Sequence, residues 1–240
     1  KKILATPFSS EWEGHIQNNI QYYQHLNNEE KKRLQDLILI FIAEKSWLGC
    51  NGLELTDEIR VMIAAHACLM ILALPNDCYR NVESIYVYPT TIFSPESSIG
   101  FFEVRTTPVR GPMPILGEAH HSGPVVLVWD AVKKETRHPE HGHNVVYHEF
   151  AHKLDMLDGS ADGTPPLTTP EDYQRWSDVC SKEYLELCGK VKHGKPTFFD
   201  SYAATDEAEF FAVVTEYFFC KPKNMKHNHP KLYQVLKDFY

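Results

Sequence analysis

What this chain lacks narrows it before any motif is read. None of its six cysteines stands in a C-x-x-C pair. Cys68 lies inside an apolar stretch and Cys220 ends one, as expected of reduced, buried thiols; Cys50, Cys78, Cys180 and Cys188 are scattered. No secretory signal is visible, so the reading is a reducing cytoplasm and not a disulfide framework. There is no basic excess either. Twenty-four Lys and Arg against 32 Asp and Glu give a net charge of −8. That argues against nucleic acid as a direct partner, since phosphate binding wants a basic surface. It does not exclude binding a protein that itself binds DNA. No apolar run reaches the roughly 18–20 residues of a spanning helix. Leu37 to Ala43 is far too short, and Val61 to Leu74 holds His66 and stops at Pro75. Both are expected to be buried helices, with no membrane contact. Internal repeats and low-complexity tracts are absent as well.

What is present suits one sizeable α+β domain, predominantly helical with a small β-sheet. Apolar residues make up 43% and charged residues 23% of 240, an ordinary globular balance. The first 80 residues read as a helical subregion. Ser9 or Ser10 can cap a helix over Glu11–Leu26, Asn27 or Asn28 one over Glu29–Glu44, and Thr56 with Asp57 one ending at Leu74. From Ser84 the character changes. Ile85–Tyr88, Gly100–Arg105 and Val125–Trp129 are rich in aromatic and β-branched residues and predict strands. A helix is expected from about Glu140–Asn144 to Leu157, broken at Asp158-Gly159, then an exposed loop over residues 159–170. Further helices are expected over Glu171–Leu187, from Thr205 or Asp206 to Phe219, and over His229–Tyr240.

The helix before that loop carries His148-Glu149-Phe150-Ala151-His152. Residues four apart share a helix face with Cβ atoms roughly 5–6 Å apart, so His148 and His152 can reach one metal ion. Glu149 lies about 100° further round, where it can flank the metal and take a proton from a water held there. Val146, Phe150 and Leu154 face the other way and supply a core face. The competing reading is a partly buried helix with two hydrogen-bonded histidines.

Two histidines do not hold a catalytic zinc; a third protein ligand and an open position are expected. Glu209 is one choice, on a later helix buried by Phe210, Phe211, Val214 and Phe218, where an unpaired carboxylate is costly. Asp158 stands where another class of zinc protease places its last ligand, but that class needs a glycine where this chain has Asp155. Glu207 and Glu216 neighbour Glu209, and Glu216 could instead orient a histidine. His120, His121, His138, His141 and His143 crowd the approach to the helix. Asp155, three residues after His152, is a candidate acceptor for a ligand imidazole N–H. Val125–Trp129, just before the metal helix, is expected to border the cleft and offer an edge to an extended substrate.

The segment H-E-F-A-H-K-L-D from His148, together with S-Y-A-A-T-D-E-A-E-F-F-A from Ser201, resembles the Mlc titration factor A family of bacterial zinc metallopeptidases. Both motifs match, and the likeness extends over most of the chain. The family is related in fold to the catalytic domain of anthrax lethal factor, so the resemblance implies a zincin-like fold spanning 1–240, with 81–240 as its catalytic core. It implies a gluzincin-type site with one zinc ion: His148, His152 and Glu209 as ligands, Glu149 as general base, and Tyr202 as the phenol stabilising the oxyanion. Aminopeptidase activity and binding of the glucose-responsive repressor Mlc, which regulates a sugar phosphotransferase system, are implied in the same way. The rival class is a regulatory binding module whose zinc is structural. Such a site is usually closed by four ligands, often cysteines, and no cysteine lies near the motif.

Overall fold

Side-chain caps decide where most of the helices begin. The computed structural model describes residues 3–5, 7–75, 77–90, 92–93, 114–115, 117–119 and 123–240. Helix α1 (Ser10–Asn19) starts where Ser9 accepts from the Glu11 N–H. Helix α2 (Asn28–Glu44) has a full capping box between Asn27 and Glu30. Helix α3 (Asp57–Met70) is capped by Thr56. The expected first helix stops early, at Asn19, and a 3-10 turn covers Gln21–His25. The Asn18-Asn19-Ile20 stretch is weakly helical, and the Asn19 side chain bonds back to the His15 carbonyl.

Strands β1 (Ser46–Gly49), β2 (Ser84–Tyr88) and β6 (Val125–Val128) are parallel, and β5 (Gly117–Ala119) closes the sheet antiparallel to β6, in the order β1-β2-β6-β5. A separate antiparallel pair joins β3 (Ile92–Phe93) to β4 (Pro114–Ile115). The expected strand over Gly100–Arg105 lies outside the described residues. The sequence missed β1, whose four residues carry too little pattern to signal a strand. It also carried β6 one residue too far, since Trp129 already opens helix α4 (Trp129–Arg137). The sheet order corrects one further expectation. Strand β6 is flanked by β2 and β5, so it has no free edge; among the described residues β1 and β5 are the edge strands, and β5 lies against the metal-motif helix.

That helix, α5 (Val145–Asp155), is the centre of the molecule. It packs on α3, α4, β5, β6 and, most extensively, α7 (Glu207–Cys220). Val146, Phe150 and Leu154 are fully buried on the expected face. Phe150 sits between Tyr79 and Phe41, with ring centroids 4.8 and 5.7 Å away. Helix α6 (Pro170–Lys192) runs beyond Leu187, and α8 (Pro222–Asn228) and α9 (Pro230–Phe239) complete the chain, each opening on a proline at its first turn. The fold is therefore predominantly helical α+β and zincin-like. Among the described residues, no helix is long and apolar enough to cross a membrane.

Candidate active site

The site begins with the N-terminus of α5. A helix leaves its first N–H groups without intrahelical partners. Asn144 accepts from Val146 and Tyr147, both at 3.1 Å. The Asn144 N–H donates to Glu216 Oε2 at 2.6 Å, and the Val145 N–H to Glu135 Oε2 at 2.6 Å. Two carboxylates thus hold the start of this helix, where the helix dipole favours negative charge. They come from α7 and α4, so nothing in the local sequence around the motif announces them.

Helix α7 crosses α5, and its own cap places Glu209. Asp206 accepts from the Glu209 N–H at 2.8 Å, fixing that residue in the first turn. Phe210, Phe211, Val213 and Val214 bury the helix behind it. Three side chains then converge. The Nε2 atoms of His148 and His152 are 3.3 Å apart. His148 Nε2 lies 3.1 Å from Glu209 Oε2, and His152 Nε2 lies 3.6 Å from Glu209 Oε1.

This trio fits a metal ion. His148 Nδ1 donates to Glu216 Oε1 at 2.8 Å, which leaves the Nε2 lone pair pointing into the trio. Two imidazole lone pairs and a carboxylate facing one another are mutually repulsive without a cation between them. Glu209 Oε2 is buried and has no hydrogen-bond partner. Ligand atoms bound at about 2.0–2.1 Å around a tetrahedral ion lie roughly 3.3–3.4 Å apart, within the 3.1–3.6 Å that separate these nitrogens from one another and from the nearest carboxylate oxygens. The electrostatics agree. Burial works against charge on both groups, yet the neighbouring Glu209 and Glu216 carboxylates hold His148 well above the usual histidine pKa. His148 and His152 likewise hold Glu209 below the usual carboxylate range. The cluster attracts positive charge.

Glu149 is buried beside the trio, 4% exposed. Its charge raises the proton affinity of His148 and Tyr202. Tyr202 sits on a 3-10 turn, Ser201–Ala204, capped by Asp200, which accepts the Tyr202 N–H at 2.8 Å. Its ring is half-exposed and 6.1 Å from that of His148. Partial burial and the Glu209 carboxylate push the phenol upward, so its hydroxyl stays a donor at neutral pH.

The other candidates lie elsewhere. Asp158 is exposed and accepts from the Ser160 N–H. Glu207 is exposed at the start of α7. Glu216 binds the outer nitrogen of His148, the orienting role weighed for it above. His138 and His141 stack on the surface near Glu140, and His143 lies between Asp200 and Glu216 at 3.7 and 3.9 Å. His120 and His121 fall outside the described residues. Asp155 is buried, but its Oδ2 accepts from Gly163 N–H at 3.0 Å and makes no hydrogen bond to His152. Sequence reading missed Asn144, Glu135 and Asp200; only the Asn before a helical run and the Asp two residues before Tyr202 left a local signal, as caps.

Fold and donor set together define a zincin-like metallopeptidase. The comparison with known proteins makes the class specific: the glucose-regulated metallo-peptidase M90 family matches residues 1–240, and the chain belongs to it. A protein of Synechocystis, the uncharacterized slr2042, is 37% identical over all of this chain and 86% of its own length. Mlc titration factor A of Serratia proteamaculans is 32% identical, covering 90% of this chain and 81% of its own. The Klebsiella pneumoniae protein of the same name is 30% identical, with 90% and 80% covered.

Proposed function

We propose that this protein is a zinc-dependent peptidase with aminopeptidase activity, in which His148, His152 and Glu209 hold the ion. The observation that carries this reading is the convergence of two imidazole nitrogens and the Glu209 carboxylate at 3.1–3.6 Å, suited to one cation, with the Glu149 carboxylate buried on the same helix as the histidines. Zinc bound there would polarise the scissile carbonyl and lower the pKa of the attacking water. Glu149 takes a proton from that water and returns it to the leaving amine. Tyr202 donates its hydroxyl hydrogen to the developing oxyanion. Glu216 fixes the ring of His148 and keeps its proton on Nδ1. Strand β5, an edge strand among the described residues and beside α5, would give an extended peptide backbone partners. Among the described residues the donor group has three members and no cysteine, which supports catalysis over a closed structural site. A repressor of the Mlc kind is the proposed protein partner, on the strength of the relatives' name.

The test uses an amino-acid p-nitroanilide and an N-terminally blocked quenched peptide, with chelator and with zinc restored. Zinc-restored cleavage of the anilide alone is the expected result; cleavage of the blocked peptide would make the enzyme an endopeptidase. Glu149→Gln should retain one zinc per chain and lose turnover at least 10²-fold. Full zinc with no cleavage of either substrate by the wild type would leave a binding module, and an active Glu149→Gln would remove Glu149 from the chemistry.

A further inference from the structure

Four buried side-chain atoms among the described residues lack a hydrogen-bond partner: Asn81 Oδ1, His152 Nδ1, Asp155 Oδ1 and Glu209 Oε2. Glu209 Oε2 is explained by the metal trio. The other three need an account, because a buried donor or acceptor left unpaired costs about 1–3 kcal/mol.

With its Nε2 lone pair turned to the trio, His152 must carry its proton on Nδ1. That makes Nδ1 a buried donor. Asp155 Oδ1 is a buried acceptor three residues further along the same helix, on the same face. Its carboxylate is wholly buried; Oδ2 accepts from Gly163, the Thr164 backbone also favours its charge, and Oδ1 has no partner. Burial pushes Asp155 up to about 6, and His152 is among the groups that draw it back down. Asn81 is a poorer acceptor for His152 because it is neutral; it lies on the loop after Tyr79, where its amide nitrogen donates to the Lys153 carbonyl at 2.8 Å.

We propose that Asp155 is the positioning residue for His152, receiving its Nδ1–H directly or through one ordered water when the metal is held. Each ligand imidazole then has a carboxylate of its own. Glu216, from α7, serves His148; Asp155, from α5 itself, serves His152. The same Asp155 carboxylate accepts from Gly163, and Gly163 lies against the backbone of Glu207 at the first turn of α7. One side chain thereby links the orientation of His152 to the loop that abuts the helix of Glu209. This rests on the proposed ligand set.

The test is Asp155→Asn, measured by chelator competition for zinc alongside wild type. The asparagine oxygen can still accept from Gly163, but its NH₂ then meets the His152 N–H, donor against donor. The expected zinc dissociation constant is 10–100-fold weaker, with the metal-free melting temperature close to wild type. A second measurement needs no variant: ¹⁵N-histidine NMR of the zinc-loaded wild type should show the His152 Nδ1 proton hydrogen-bonded and slow to exchange. A zinc affinity within twofold of wild type, or a rapidly exchanging Nδ1 proton, overturns the proposal. Should Asp155→Asn fold poorly, the NMR result decides. If wild type itself fails to bind one zinc per chain, the ligand set has failed and not Asp155 alone.

Discussion

At the scale of single residues, the site is a division of labour among carboxylates. Glu209 faces the histidine lone pairs, Glu216 takes the far side of His148, and Glu149 stands buried beside them. Their chemistry is identical, and only what each one touches separates their roles. Tyr202 is the residue whose role is easiest to isolate, because its half-exposed ring makes little contribution to the core. Tyr202→Phe should bind zinc as wild type does and lose about 10²–10³-fold in kcat, the usual effect of removing an oxyanion donor. Steady-state kinetics beside a zinc titration measures both, and an unchanged kcat would return Tyr202 to a packing role.

At the scale of elements, the proposed metal site depends on how α5 and α7 cross. The histidines lie on one helix and Glu209 on the other, so a shift of about 1 Å at the crossing separates them. Gly163 guards that crossing. Its φ of +77° is a left-handed conformation, and a Cβ there would lie 2.3 Å from the Glu207 carbonyl oxygen. Gly163→Ala must therefore displace the first turn of α7, which carries Glu209. The variant should unfold several degrees below wild type and bind zinc at least tenfold more weakly, read by calorimetry and chelator competition. The equivalent change at Gly159, whose φ is +100° but where a Cβ meets nothing, should cost backbone strain without the loss of zinc affinity.

At the scale of the whole molecule, the core encloses an imidazole that folding keeps neutral in mild acid. His66 on α3 is fully enclosed, with Nδ1 donating to the Met62 carbonyl and its ring edge-on to Tyr147. Burial lowers its pKa from 6.5 to about 4. Between those values the unfolded chain binds the proton and the folded chain does not, so the fold loses stability as pH falls from 6.5 towards 4. The full loss from this group is about 3 kcal/mol. Denaturation at pH 7 and pH 4.5 should show a smaller acid penalty for His66→Gln than for wild type. Equal penalties would mean that His66 titrates in the folded state.

Much of this was legible in the chain itself. H-E-x-x-H at helical spacing fixes two nitrogens on one face, because 3.6 residues per turn leaves them nowhere else to go. The caps at Asn27, Thr56 and Asp206 are local hydrogen bonds, and so the helix starts they set could be read locally. The resemblance carried by the two motifs pointed to the family that the whole-chain match shows. Tertiary structure alone decided which distant carboxylate meets the histidines. Glu209, Asp158 and Glu207 are equally acidic on paper, and only the α5–α7 crossing brings Glu209 within 3.1 Å of His148 while leaving Asp158 and Glu207 at the surface. It also placed β6 between β2 and β5, with no edge to offer, since strand order depends on pairings between segments far apart in sequence. Local periodicity encodes which face a residue occupies; which faces meet is settled by the packing of the complete chain.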